Sequence, residues 1–338
     1  MMAKVLYIYL FFLFEIIPSF KWIYKWNNVI KIKPKFKILL CTIARNENKY
    51  ILEFINHYKN MNVSKIIIYD NNQIDGENFL DILKDFIKIN FIKIIDIRGI
   101  KRPQKKAYAH CYNYNKYNYE WIAFYDIDEY LFLLNYTNIN DFLSSNAFKN
   151  CQSIIINWKY YGDNDKIFYE PKPLSERFTK PINITKEIMN YTYIYCGAKT
   201  IVRGGLHLNW GHFPHYLKNT INCRPNGSIL KDYLTPPDYS NAFIKHYTTK
   251  STEEYIEKLN KGDVYEYSDI YYVAYKLKYY YFLFNKINKK KIELIKNKLK
   301  YKINISLDNY SPNLRHVKIW VLNKSIIYYR KLLLKMFK

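Results

Sequence analysis

The sequence is short of the features that mark special protein classes. Nine Gly and 11 Pro in 338 residues are few, and they do not gather into a linker long enough to separate domains; no internal repeat is present. The five cysteines, Cys41, Cys111, Cys151, Cys196 and Cys223, are an odd number with no C-x-x-C pair. That argues against a zinc ribbon or a disulfide framework and for a reducing, cytoplasmic setting. Long apolar runs are missing too. The unbroken stretch from Val5 to Phe14 is ten residues long before Glu15, whereas a spanning helix wants about 20, and no small-residue site for signal cleavage follows. Extended through Glu15 and Pro18 to Ile23, the segment makes a poor N-terminal signal anchor, which is the alternative to a cytoplasmic chain.

Acidic residues are the minority, 29 against 53 Lys and Arg, for a net charge of +24. The excess is at the ends: residues 1–37 carry +6 and residues 286–338 carry +13, leaving only +5 for the middle. The C-terminal "VKIWVLNKSIIYYRKLLLKMFK" alternates apolar clusters with Lys and Arg, as a helix lying on an anionic membrane surface does. Lys, Arg and aromatic residues also suit nucleic acid, but no nucleic-acid motif accompanies them, so lipid is the favoured partner. A basic helix packed on the domain is the plainer alternative. The abundance of Tyr, Asn, Ile and Lys reads as compositional bias and carries no function.

An apolar fraction of 49% supplies ample core for a globular α/β chain. From Lys37 strand-length apolar runs alternate with helical periodicity: "KILLCTI", then "NKYILEFINHYKNM" with Ile51, Leu52, Phe54, Ile55, Tyr58 and Met61 at helical spacing, then "SKIIIYDN", "NFLDILKDFIKI", "IKIIDIR", "QKKAYAHCYNYNKY" and "WIAFYDI". Alternation of this kind predicts βαβ crossovers and a Rossmann-like, mostly parallel sheet flanked by helices. "SIIINWKYYG" is a further strand in a less regular, Pro-punctuated second half. The expected organisation is an apolar and basic segment 1–36, a catalytic domain 37–285 and a basic helical tail 286–338.

Parallel sheets bind ligands at the carboxyl ends of their strands. Arg45, Asn46 and Glu47 follow the first strand, Asp70, Asn71 and Asn72 end the second, Arg98 ends the third, and Asp126 and Asp128 end the fourth. All four clusters fall on one edge and outline a nucleotide-sized crevice. The sharpest is "EWIAFYDIDEYLFLL", which sets Asp126, Asp128 and Glu129 in an apolar run where an unpartnered charge is expensive. Two carboxylates spaced by one at a strand end converge on a hard cation, Mg²⁺ or Mn²⁺, which also takes diphosphate oxygens. An N-cap or a solvated turn is the bland alternative for this D-x-D.

The blocks "CTIARNENKYILEFINHYKNMNVSKIIIYDNN", "YDIDEYL", "NWKYYGDN" with "ERF" after it, "KTIVR" and "IKHYTTKSTEEYIEKLNKGD" resemble, in the same order from Lys37 to Asp263, glycosyltransferase family 92 and the related family-2-like enzymes. The resemblance implies a GT-A fold and sugar transfer from a nucleotide-diphosphate donor, usually with Mn²⁺. It implies that Ala44, Arg45 and Glu47 line the nucleotide pocket, that Asp70 approaches the base or ribose, and that Asp126 and Asp128 bind the metal. It also implies His246 as a further metal ligand or diphosphate contact, and Lys250 near the phosphates. Neutral imidazole binds Mn²⁺ and a Lys suits a departing diphosphate, though a hydrogen-bonded core histidine is the plainer reading of His246.

His207, His212 and His215 cluster in sequence, but with only Cys223 as a fourth candidate they make a poor zinc set and are expected to line a substrate loop. For the catalytic base, Asp163, Glu176 and Asp232 lie in the half where an acceptor would enter; Asp163 and Glu176 are the candidates carried forward. The function expected is a metal-dependent glycosyltransferase acting on a glycan, lipopolysaccharide or glycolipid at the cytoplasmic membrane face. Two alternatives remain: metal-dependent phosphodiester or nucleotidyl chemistry, and a membrane- or nucleic-acid-binding protein with an inert transferase-like core.

Overall fold

A computed structural model describes residues 34–190, 196–208, 214–262, 270–300, 304–307 and 317–320. Most of the apolar N-terminal segment and of the basic C-terminal tail lies outside the described residues, as does His212. The described residues fall into two compact units, one within Met1–Trp158 and Met189–Lys245, the other within Lys159–Ile188 and His246–Lys338.

The first unit opens with the expected alternation: β1 (Phe36–Ala44), α1 (Ile51–Asn60), β2 (Lys65–Asp70), α2 (Leu80–Lys88), β3 (Ile92–Asp96), α3 (Gln104–Asn115) and β4 (Tyr119–Phe124). β1 is buried from Ile38 to Ala44 on both faces, which is why its sequence is a continuous apolar run rather than an alternating one. α1 buries Ile51, Phe54, Ile55 and Tyr58, a single stripe at helical spacing, with Glu53 in its first turn and Lys59 in its last to complement the helix dipole. β5 (Glu129–Leu133) and α4 (Ile139–Leu143) follow, and then β6 (Ser153–Tyr160), β7 (Ala198–Arg203), β8 (Asn222–Cys223) and β9 (Ala242–His246). Two short helices, α5 (Leu174–Arg177) and α6 (Lys186–Asn190), lie between β6 and β7.

The strands form one sheet in the order β3-β2-β1-β4-β7-β6-β9-β5, with β8 paired to β6. β1 is parallel to β2 and β4, and β2 to β3. β7 is antiparallel to both its neighbours, β4 and β6. The sheet is therefore mixed: its first four strands make the parallel half that the sequence predicts, and the reversal at β7 had no sequence signal.

The cysteines correct an expectation. Cys41 of β1 is bonded to Cys111 of α3, and Cys151 to Cys223 of β8, leaving Cys196 as a buried thiol. The partners are 70 and 72 residues apart, so no local spacing rule can find them. Packing of α3 on β1 joins the first pair and the β6–β8 pairing joins the second. Such bonds persist in oxidising compartments, so the cysteine argument for a reducing cytoplasm no longer holds.

The second unit is organised around α7 (Thr252–Lys261). Ser251 caps it in a reciprocal capping box with Glu254. Glu254 also receives a two-pronged hydrogen bond from Arg177, Nη1 to Oε2 at 2.7 Å and Nη2 to Oε1 at 3.0 Å, both side chains 1% exposed. Tyr255, Ile256 and Leu259 of α7 pack with Val273 of α8 (Ile270–Lys276), with Leu277 and Tyr281 of the π-helical turn that continues it, and with Ile292 and Ile295 of α9 (Lys289–Lys298). α9 is the start of the segment read as a basic tail. Its Lys291 is fully buried and ion-paired, while Lys290 and Lys296 stay exposed. β10 (Asn304–Leu307) and β11 (Val317–Trp320) form an antiparallel pair. Among the described residues no helix is long and apolar enough to cross a membrane.

Candidate active site

Because β1 to β4 are parallel neighbours, their carboxyl ends share one edge, and there the polar clusters of the sequence converge. Ala44 ends β1 opposite Asp70, the last residue of β2. The loops beyond are tied together: Asn71 N–H donates to the Ala44 carbonyl at 2.9 Å, and Asn46 N–H donates to Asn72 Oδ1 at 2.7 Å. Asn46 adopts φ +52° to do so, a left-handed conformation that Asn tolerates better than most residues. Arg45 and Glu47 are half-buried in the same loop, and the Glu47 carbonyl accepts the first amides of α1. Asp70 is 7% exposed and its Oδ1 accepts Asn72 N–H at 2.9 Å. Burial pushes its carboxyl above the usual range, against the pull of Asn72 and Arg98. Arg98 itself is engaged mainly by Asp96, at 2.6 Å, in an exposed pair.

The D-x-D turn follows β4 and closes through Glu129 N–H to the Asp126 carbonyl at 3.0 Å. A residue with no assigned role in the sequence meets it. Lys199 is fully buried on β7, and its Nζ donates to Asp126 Oδ2 at 2.7 Å and lies 3.4 Å from Glu129 Oε2. Tyr108 Oη donates to Asp126 Oδ1 at 3.0 Å, and Asp126 N–H donates to Glu129 Oε2 at 3.0 Å. Both carboxylate oxygens of Asp126 are thus held by the protein.

The charges sort accordingly. Burial opposes the charge on Asp126, yet Lys199 and Tyr108 hold its carboxyl below the usual value. Burial likewise opposes the charge on Lys199, and Asp126 and Glu129 keep it protonated by raising its pKa. Glu129, fully buried, is pushed well above the ordinary Glu range by desolvation despite Lys199. The buried Lys199 ammonium thus sits against both carboxyls, hydrogen-bonded to Asp126 and 3.4 Å from Glu129. Asp128, 9% exposed, offers a carboxylate oxygen within 4.8 Å of one from Glu129.

Nδ2 of Asn72 and Oη of Tyr125 are buried here without a hydrogen-bond partner. A buried unsatisfied donor costs about 1–3 kcal/mol, so these atoms fit a site whose remaining acceptors arrive with a ligand.

The other candidates belong to other elements of the chain. His246 ends β9 in the second unit, buried, with its ring against Tyr160. Lys250 lies just beyond, buried, at φ +53°. Asp163 is enclosed in the second unit: Lys291 Nζ is 2.6 Å from its Oδ2, Tyr281 Oη donates to Oδ2 at 3.0 Å, and Asp165 N–H donates to Oδ1 at 2.9 Å. These contacts are those of a structural ion pair. Glu176 is exposed on α5. His215 Nδ1–H donates to the Ala198 carbonyl at 2.8 Å, and the ring packs edge-on against Trp158; among the described residues it joins no metal cluster. Lys199 was the residue that sequence reasoning missed. Its one signal is a lone Lys inside the apolar stretch "AKTIV", which a buried strand carries only when a partner waits for it.

The chain is 30% identical over 111 residues to a glycosyltransferase family 92 protein of Oryza sativa subsp. japonica, a match covering 32% of this chain and 18% of that one. It is 24% identical over 152 residues to one from Arabidopsis thaliana, covering 44% and 26%, and 24% identical over 128 residues to one from Ricinus communis, covering 37% and 23%. The matched stretches thus span roughly a fifth to a quarter of these relatives. Among solved structures, S. aureus TarS aligns at 13% identity with a TM-score of 0.34, covering 78% of this chain and 42% of that one. The sequence profile of glycosyltransferase family 92 matches residues 37–303, and the chain therefore belongs to that family.

Proposed function

We propose that this protein transfers a sugar from a nucleotide-diphosphate donor to a glycan acceptor at the carboxyl edge of β1, β2 and β4, with a divalent cation, Mn²⁺ or Mg²⁺, at the D-x-D turn. The observation that carries the reading is the set of acidic groups there: Lys199 pairs with Asp126, and Asp128 and Glu129 bring carboxyl oxygens within 4.8 Å of one another. A turn left with net negative charge and oxygen ligands suits a hard cation. When bound, the cation supplies charge neutralisation for the departing diphosphate.

The chain's own residues do the rest. Asp128 is the direct ligand, and Asp126, fixed by Lys199 and Tyr108, sets the geometry of the turn. Ala44, Arg45, Glu47 and Asp70 flank the nucleotide, with Nδ2 of Asn72 as a waiting donor. His246 serves as a further ligand and Lys250 as a phosphate contact, on the strength of the family blocks that carry them. A lipid-linked acceptor and attachment to an anionic membrane rest on the basic ends of the sequence. The two disulfides favour an oxidising compartment, and so the N-terminal anchor, over the cytoplasm.

Calorimetric titration with UDP, GDP and CMP, with and without Mn²⁺, tests the reading. The expected result is Mn²⁺-dependent binding of one nucleotide that is lost in Asp126→Asn/Asp128→Asn. A folded protein that binds none of the three overturns it.

A further inference from the structure

Eight Asn-X-Ser/Thr triplets occur in the chain, at Asn62, Asn135, Asn183, Asn190, Asn226, Asn304, Asn309 and Asn323. With 36 Asn, and Ser and Thr together at 24 of 338 positions, chance would place two or three. Four of the eight, those at Asn62, Asn135, Asn183 and Asn226, lie wholly in segments whose side chains are described, and all four Asn are exposed. The buried Asn among the described residues, Asn72, Asn115, Asn157 and Asn222, belong to no such triplet. These four triplets thus coincide with accessible loops. The disulfides add an independent observation, because they require the same kind of compartment in which this triplet is modified.

We propose that the chain is N-glycosylated at Asn62, Asn135, Asn183 and Asn226, and so matures in an oxidising secretory compartment. Each site has room for the modification. Asn62 sits at φ +62° in the turn after α1, and Asn135 in the loop between β5 and α4. Asn135 Nδ2 gives one hydrogen to Asn241 Oδ1 at 3.0 Å, which leaves the other for replacement. Asn183 precedes α6 in the second unit. Asn226 is at the tip of a tight turn closed by the Cys223–Ile229 bridge. Its Oδ1 accepts both Ser228 N–H at 2.9 Å and Ser228 Oγ–H at 2.7 Å, which fixes the carboxamide by its oxygen.

The co-reactant is a lipid diphosphate-linked oligosaccharide delivered by a cellular oligosaccharyl transferase. Asn Nδ2 forms a bond to the anomeric carbon, the bond from that carbon to the diphosphate oxygen breaks, and Nδ2 gives up one proton.

The test takes the full chain from the cells that make it, alkylates thiols without reduction, digests it, and treats the peptides with peptide N-glycosidase in ¹⁸O water. Glycosylated Asn is converted to Asp carrying the ¹⁸O mass tag. The proposal expects the tag on at least two of Asn62, Asn135, Asn183 and Asn226, and alkylation at Cys196 with the other four cysteines protected. Recovery of three or all four of these Asn untagged overturns it, as does alkylation of all five cysteines.

Discussion

Lys199→Met removes a buried cation while keeping most of the side-chain volume, so its effect is electrostatic. Lys199 is 1% exposed at its side chain, Glu129 0% and Asp126 35%. Deleting one partner of a fully buried pair costs about 3–5 kcal/mol, whereas exposed pairs are worth about 0–1 kcal/mol. Because Asp126 keeps some water, the lower end applies, about 3 kcal/mol. In a unit of this size that lowers Tm by roughly 6–12 °C. The loss should depend on pH. Without Lys199 the Asp126 carboxyl is no longer held down and that of Glu129 rises further, so the folded variant takes up protons that the unfolded chain, with ordinary carboxyl values, has released. Where the native state binds more protons, stability rises as pH falls, so the gap between variant and parent narrows between pH 7 and pH 5. Urea melts of both proteins at the two pH values measure it. A loss under about 1 kcal/mol at pH 7, or a gap that does not change with pH, refutes the assignment of Lys199 as the counter-ion of this turn.

Further outcomes follow from the same geometry. Asp128→Asn should remove Mn²⁺ affinity by calorimetry; an unchanged Mn²⁺ affinity sinks its role as ligand. Cys151→Ala/Cys223→Ala opens a loop of 72 residues, for which the chain-entropy relation gives up to about 4 kcal/mol, read as a lower urea midpoint. Arg177→Met removes the buried cation paired with Glu254, at a cost of about 3–5 kcal/mol. Its thermal unfolding should begin in the second unit, seen as early loss of hydrogen-exchange protection in α7. His57, beside the Leu131 carbonyl at 3.0 Å, is lowered to about 4 by burial from an ordinary 6.5. The unfolded chain therefore binds the extra proton first, and stability falls as pH drops from about 6.5 to 4. His57→Gln should flatten that part of an acid titration.

The alternation of β1 to β4 with three helices was legible because each element carries its own period: burial on both faces makes a parallel strand continuously apolar, and one buried stripe makes a helix periodic. The polar edge was legible for the same reason, since parallel strands put every strand end on one side. The D-x-D pair stood out because carboxylates in an apolar run need a partner. What that partner is belongs to the tertiary structure. Lys199 is 73 residues from Asp126, and only the antiparallel return of β7 beside β4 brings them to 2.7 Å. Asp163, a reasonable acid by position, proves to be occupied by Lys291, a contact set by packing of α9. The cysteine pairs, too, are joined by contacts 70 and 72 residues apart. Sequence by itself determined the elements, the ligand edge and the acidic turn, because these depend on local periodicity and on the cost of burying charge. Which charges neutralise one another, and which thiols meet, depends on long-range proximity, and only the folded sheet decided that.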